Sequence, residues 1–258
     1  MFIRSLRLIP ILLISLLAFP IAAQEPRELS YGDVTFSTAG VLPSNVNIVQ
    51  SPGDPVEFGA GFSDAPYLQF LLYDTPPAPE SLFDRSGGIR VYRLADFDAY
   101  PWNQDVADAL AELLDTRADL SVYMSPEAEA PLPFLPIVPA GQVIRARAQY
   151  LDGAGFSGIS YVTIYRHDLA PFLANEPIFT FQGLTDDGQF YISAVFPLVT
   201  TVFPQAVPPT YDPVAFSETF ETYVADSVAE LNDSADDDFT PPLSALEEVI
   251  LSLSIRSR

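Results

Sequence analysis

The sequence predicts an α+β fold: a largely antiparallel sheet with helices packed on it. Three observations predict it. Strand-like segments come in two groups of four, without the strand–helix–strand alternation of a doubly wound parallel sheet. A tight turn signal, Asp186-Asp187-Gly188, joins two strands of the second group and implies an antiparallel hairpin. Amphipathic helical spacing appears only after each group, once after the first and twice after the second.

In the first group, 31–37 alternates around Val34 and Phe36, and 46–50 reads as a second strand. The Gly- and Pro-rich stretch 53–63 is a loop. A nearly continuous apolar run at 67–73 suits a buried strand, and Thr75-Pro76-Pro77-Ala78-Pro79 breaks it. The fourth strand is 88–94. A helix then starts at Pro101 or Asn103 and ends near Arg117, with Val106, Ala109, Leu110, Leu113 and Leu114 as its apolar stripe. Residues 125–140 carry five prolines, at 126, 131, 133, 136 and 139, and read as a long extended crossover.

In the second group, 142–150 alternates. Arg145, Arg147 and Gln149 are expected on one face, and Ile144, Ala146, Ala148 and Tyr150 on the other. Asp152-Gly153 turns the chain into a strand at 158–165. Strands 177–184 and 189–196 flank the hairpin turn, and 204–213 is a second proline-rich connection. Asp212-Pro213 supplies an acidic cap and an N1 proline for a helix buried through Phe216, Phe220, Tyr223, Val224 and Leu231. Residues 232–238 end it. Thr240 or Ser244 begins the last helix, buried through Leu243, Leu246, Ile250 and Leu253, and Ser244 with Glu247 fits a capping box.

Three short runs carry a family resemblance: Gly158-Ile159-Ser160-Tyr161, then Asp187-Gly188-Gln189-Phe190-Tyr191, then the closing helix 245–253. In these the second half, mainly 140–253, resembles the PsbP-like family of extrinsic photosystem II proteins and their bacterial relatives. The resemblance implies an α/β/α sandwich and a non-enzymatic, extracytoplasmic accessory role. It carries over no site residue. The long proline-rich insert and an extra helix depart from the family pattern.

The first 23 residues read as a secretory signal peptide. Arg4 and Arg7 precede an apolar run, 8–19, and Pro20-Ile21-Ala22-Ala23 offers a cleavage site after Ala23. The apolar stretch is shorter than the ~20 residues a spanning helix needs. The expected order is a signal peptide at 1–23, a polar leader at 24–30 and one α+β domain at 31–258. That places the mature chain outside the cytoplasm, secreted, periplasmic or at the cell surface, with no membrane span after cleavage.

The chain has no cysteine, so it carries neither a disulfide nor a lipidated cysteine. Thirty-four acids face twelve basic residues, all arginine, for a formal charge of −22. Such a surface repels nucleic acid, which is therefore not an expected partner.

His167 is the only histidine. A multi-histidine metal site is thereby excluded, and no nucleophile elbow accompanies it. The glycines at 153, 155 and 158 match a dinucleotide fingerprint, but a strand follows them instead of the required helix. Asp233, Asp236, Asp237 and Asp238 fail the EF-hand spacing. Five strand-associated arginines, at 90, 93, 145, 147 and 166, offer an anion pocket, and Arg145, Arg147 and His167 are its candidate ligand-binding residues. No catalytic residue, metal ligand or cofactor is assigned. The expected function is a secreted, non-catalytic binding or accessory protein of unknown ligand. The alternatives are an extracellular carboxylate-based hydrolase and a calcium-dependent surface or adhesion module.

Overall fold

A computed structural model describes residues 25–56, 63–73 and 87–256. The expected signal peptide lies outside the described residues. Seven strands form one wholly antiparallel sheet: β3 (Asn45–Ser51), β4 (Tyr67–Tyr73), β5 (Gly87–Arg93), β6 (Gly141–Gly153), β7 (Phe156–Arg166), β8 (Ile178–Thr185) and β9 (Phe190–Pro197). Their order is β3-β4-β5-β9-β8-β7-β6. The two groups read from the sequence therefore meet where β5 pairs with β9. The fold is α+β, as the sequence predicts.

The pleat sends alternate side chains to two separate cores. Phe70, Ile89, Val162, Phe179, Phe181, Ile192, Ala194 and Phe196 pack beneath α4 (Phe220–Asp233) and α5 (Leu243–Leu251). On this face, Gly158 and Gly183 sit opposite one another under the Phe181 ring, where a Cβ would collide with it. Tyr92, Ile159, Tyr161 and Tyr191 form the second core with α1 (Pro101–Thr116) and residues 131–138. We call the two sides the α4/α5 face and the proline face.

Several elements differ from expectation. The strand expected at 31–37 is a hairpin, β1 (Glu28–Tyr31) and β2 (Val34–Ser37), turned at Gly32 with φ 61°. The polar leader thus already contributes a strand. The buried side of α1 is Asn103, Ala107, Leu110 and Leu113, not Ala109. A short α2 (Ser121–Met124) follows it. The helix begun at Asp212-Pro213 divides into α3 (Pro213–Ser217) and α4. Asp212 does cap α3, through the amides of Val214 and Ala215. Ser217 and Thr219 then bond back to the carbonyls of Val214 and Phe216, offering the backbone an alternative to helix.

Ser244 does not form the expected capping box. It lies inside α5, and both its amide and its hydroxyl donate to Asp236 of the preceding turn. That carboxylate therefore does the capping, and Ser244 holds its pKa below the ordinary value of 3.8.

The proline-rich segment lies on the sheet and is held by side chains instead of a ladder. Prolines at 131, 133 and 136 have no N–H to give. Gln142 of β6 binds both the amide and the carbonyl of Leu132, at 2.9 and 3.4 Å. Tyr161 of β7 donates to the carbonyl of Pro133 at 2.7 Å. Gln182 of β8 binds the amide and carbonyl of Leu135, at 3.0 and 3.2 Å, and Ser193 of β9 donates to the same carbonyl. The segment thus crosses four strands in order.

Candidate functional site

β6 is an edge strand of the sheet, and it is bulged twice, between Gln142 and Ile144 and between Ala146 and Gln149. At the second bulge Arg147 takes a φ of 57°, in the left-handed region. That conformation costs a non-glycine residue on the order of 1–2 kcal/mol. Three bonds offset the cost. The Arg147 amide, lost to the ladder, donates to Asn232 Oδ1 at 2.7 Å. Its Nη1 donates to the carbonyls of Asn232 and Ser234, at 2.8 and 3.1 Å. These carbonyls close the C-terminus of α4, where the helix dipole favours a cation.

The bulge reverses the face of every residue after it. Arg145 pairs with Thr163, on the proline face. Gln149 pairs with Ser160 and reaches Glu247 of α5, on the α4/α5 face. The single face expected for Arg145, Arg147 and Gln149 does not form. Arg145 is buried under residues 125–130 and donates to the carbonyls of Ser125 and Ala130, at 3.0 and 3.2 Å. Its Nε has no hydrogen-bond partner among the described residues, and burial pulls its pKa below the ordinary arginine value. His167 is exposed just beyond the end of β7. The three candidates therefore do not converge.

The other strand arginines are mostly spent on carboxylates. Arg90 pairs with Asp64 at 2.8 Å, and Arg166 with Glu176 at 2.5 Å and Asp168 at 3.2 Å. Arg147 has no such pair among the described residues. It lines a concavity of about 400 Å³ with an apolar wall of Met124, Ala148, Val162, Phe179 and Leu243. Gln149, Asn232 and Glu247 supply the polar rim. The volume lies within the range of small-molecule seats, about 300–1,000 Å³.

Glu247 is half-buried, and burial first, then the nearby charge of Asp236, raise its pKa above the ordinary 4.5. Arg147 and the Gln149 hydrogen bond pull the other way without cancelling the rise. Ionised Glu247 therefore weakens the folded state at neutral pH. That cost fades as pH falls through the raised pKa and is gone below about 4.5. Glu247→Gln is expected to melt above the wild type at pH 7, the gain vanishing near pH 4; thermal melts across that range check it. Asn232→Ala is expected to cost about 1–3 kcal/mol in urea unfolding, because the Arg147 amide loses its acceptor.

Glu247 and Asn232 are the site residues that sequence reasoning missed. The spacing of Ser244 and Glu247 matched a cap, and no residue type announces a bulge at Arg147.

A second concavity, of about 420 Å³, opens between the β1–β2 hairpin and strands β3, β4, β5 and β9. Asp33, Arg93 and Asp96 line it, with Tyr31 and Tyr67 as aromatic walls. Among the described residues, no group of three or more His, Asp or Glu side chains is arranged to hold a metal ion. Asp236 and Asp238, weighed above as calcium ligands, accept instead from Ser244 and from Thr201 and the Ala235 amide. No helix among the described residues is long and apolar enough to cross a membrane. No protein-family model, no curated protein and no solved structure matches this chain.

Proposed function

We propose that this chain is an exported, non-catalytic binding protein whose ligand seat is the concavity behind the β6 bulge. One observation carries the reading. In a chain with 34 acids, the guanidinium of Arg147 forms no ion pair with a carboxylate among the described residues and lines a half-apolar cavity of ligand size. Its Nη1 is committed to α4, while Nε and Nη2 make no hydrogen bond among the described residues. A strained backbone held by dedicated bonds is a common way to aim a binding side chain. Export rests on the basic and apolar N-terminus. An accessory role of the PsbP-like kind rests on the three sequence runs quoted above.

Amide chemical-shift mapping against a panel of small carboxylic acids, phosphates and amino acids tests the seat. At least one compound is expected to move Ala148, Phe179 and Leu243 together. A panel that leaves these resonances still overturns the reading.

The second concavity favours one other reading, carboxylate-based hydrolysis through Asp33 and Asp96, which line it together with Tyr31 and Tyr67. Release of reducing ends from a polysaccharide panel, abolished in both Asp33→Asn and Asp96→Asn, would establish it; no turnover on the panel removes it.

A further inference from the structure

Opposite charges normally close on one another, and in the bulge cavity they do not. Arg147 and Glu247 line the same space of about 400 Å³, yet no ion pair joins them. Each has its own tether. Arg147 is drawn to the carbonyl end of α4, and Glu247 is held by Gln149. The tethers come from different elements, β6, α4 and α5, so the separation belongs to the fold and not to one flexible side chain. The same cavity carries an apolar wall of Met124, Val162, Phe179 and Leu243.

We infer that this seat takes a small zwitterion with an apolar side chain, a free amino acid in chemical class, its carboxylate on Arg147 and its ammonium on Glu247. The inference rests on the binding reading above and deepens it. A guanidinium edge with Nε and Nη2 to give matches a carboxylate's two oxygens. An ammonium restores to Glu247 a counter-charge that its burial and Asp236 otherwise deny it. The apolar body covers the wall and excludes water from both contacts, which strengthens each. A ligand carrying one charge would leave the other group desolvated and unpaired, so the arrangement discriminates as well as binds. The charged side chains lining this space are Arg147 and Glu247, and Asp236, in the turn before α5, acts on both through its charge without lining it.

Calorimetric titration of the full chain with L-leucine, L-phenylalanine and L-methionine tests the assignment. N-acetyl-L-leucine keeps only the carboxylate, and L-leucinamide keeps only the ammonium. At least one free amino acid is expected to bind, with its one-charge derivatives weaker by at least about tenfold. Glu247→Gln, which keeps the shape and the Gln149 contact, is expected to erase the preference for the free amino acid over its N-acetyl form. If N-acetyl-L-leucine binds as tightly as L-leucine, or Glu247→Gln leaves the preference intact, the zwitterion assignment falls while the binding seat stands. If no compound binds and the wider panel also leaves the cavity unmoved, both fall together.

Discussion

Gln182→Ala is expected to destabilise the protein by about 3–5 kcal/mol, read as a lower urea midpoint at unchanged slope. Gln182 is fully buried and uses its whole amide. Its Oε1 accepts from the Leu135 amide at 3.0 Å and the Tyr191 hydroxyl at 2.7 Å. Its Nε2 donates to Leu135 O, Thr180 Oγ1 and Ser193 Oγ. Truncation orphans the Leu135 N–H and the Tyr191 O–H. Each is buried, and each unmet donor costs about 1–3 kcal/mol. The vacated volume adds a cavity cost. Leu135 O keeps its bond from Ser193, and Thr180 keeps the Ala194 carbonyl, so the loss is bounded. Gln182→Met fills the space without restoring an acceptor. It should recover only the cavity share. A loss below about 1 kcal/mol for alanine would mean that water replaces the side chain and that the segment is not clamped as described.

The same residue shows where the sequence stops being readable. The second half's strands and its hairpin turn were legible because their apolar alternation and Gly188 follow directly from pleat and turn geometry. The strand pattern alone assigns Gln142, Gln182 and Ser193 no structural role. They are inward-facing because prolines at 131, 133 and 136 deprive the crossing segment of a ladder. The remaining amides need acceptors, and the strands supply them. Polar residues in the strands and prolines of a separate segment are one feature, which pattern reading treats as two. Arg145 and Arg147 illustrate the converse. Both were singled out correctly as strand arginines. Their assignment to one face assumed an unbroken period of two, and a single extra residue in β6 reverses it. The candidate site therefore contains one of the three residues named from sequence, together with Gln149 from the same strand, Asn232 from the end of α4 and Glu247 from the middle of α5.

Arg90→Met is the second change with a large expected effect, about 3–5 kcal/mol at pH 7. Arg90 lies over the Tyr67 ring, 4.3 Å from its centroid, and donates to Asp64 Oδ2 at 2.8 Å. Asp64 also accepts from Tyr92 and Asn103, both at 3.2 Å. Its amide donates to Asp54 Oδ2 at 2.8 Å and its carbonyl accepts from the Asp54 amide at 2.9 Å, tying the mouth of the loop between β3 and β4 to the sheet. Burial already raises the Asp64 pKa above its ordinary 3.8, even with Arg90 beside it. Methionine keeps the apolar stem but removes the cation paired with Asp64 among the described residues, so the ionised carboxylate stands buried and uncompensated. The sign follows from linkage. With a folded pKa pushed further up, the penalty is full above that pKa, shrinks as pH falls through it, and vanishes below about 3.8. Chemical unfolding of Arg90→Met should thus show its largest deficit at pH 7 and a much smaller one at pH 4. Adding Asp64→Asn removes the stranded charge while its amide still meets Tyr92 and Asn103. The double variant should accordingly be more stable than Arg90→Met alone at pH 7. A deficit equal at both pH values, or no recovery in the double variant, would show that Arg90 acts through packing on Tyr67 and not through its charge.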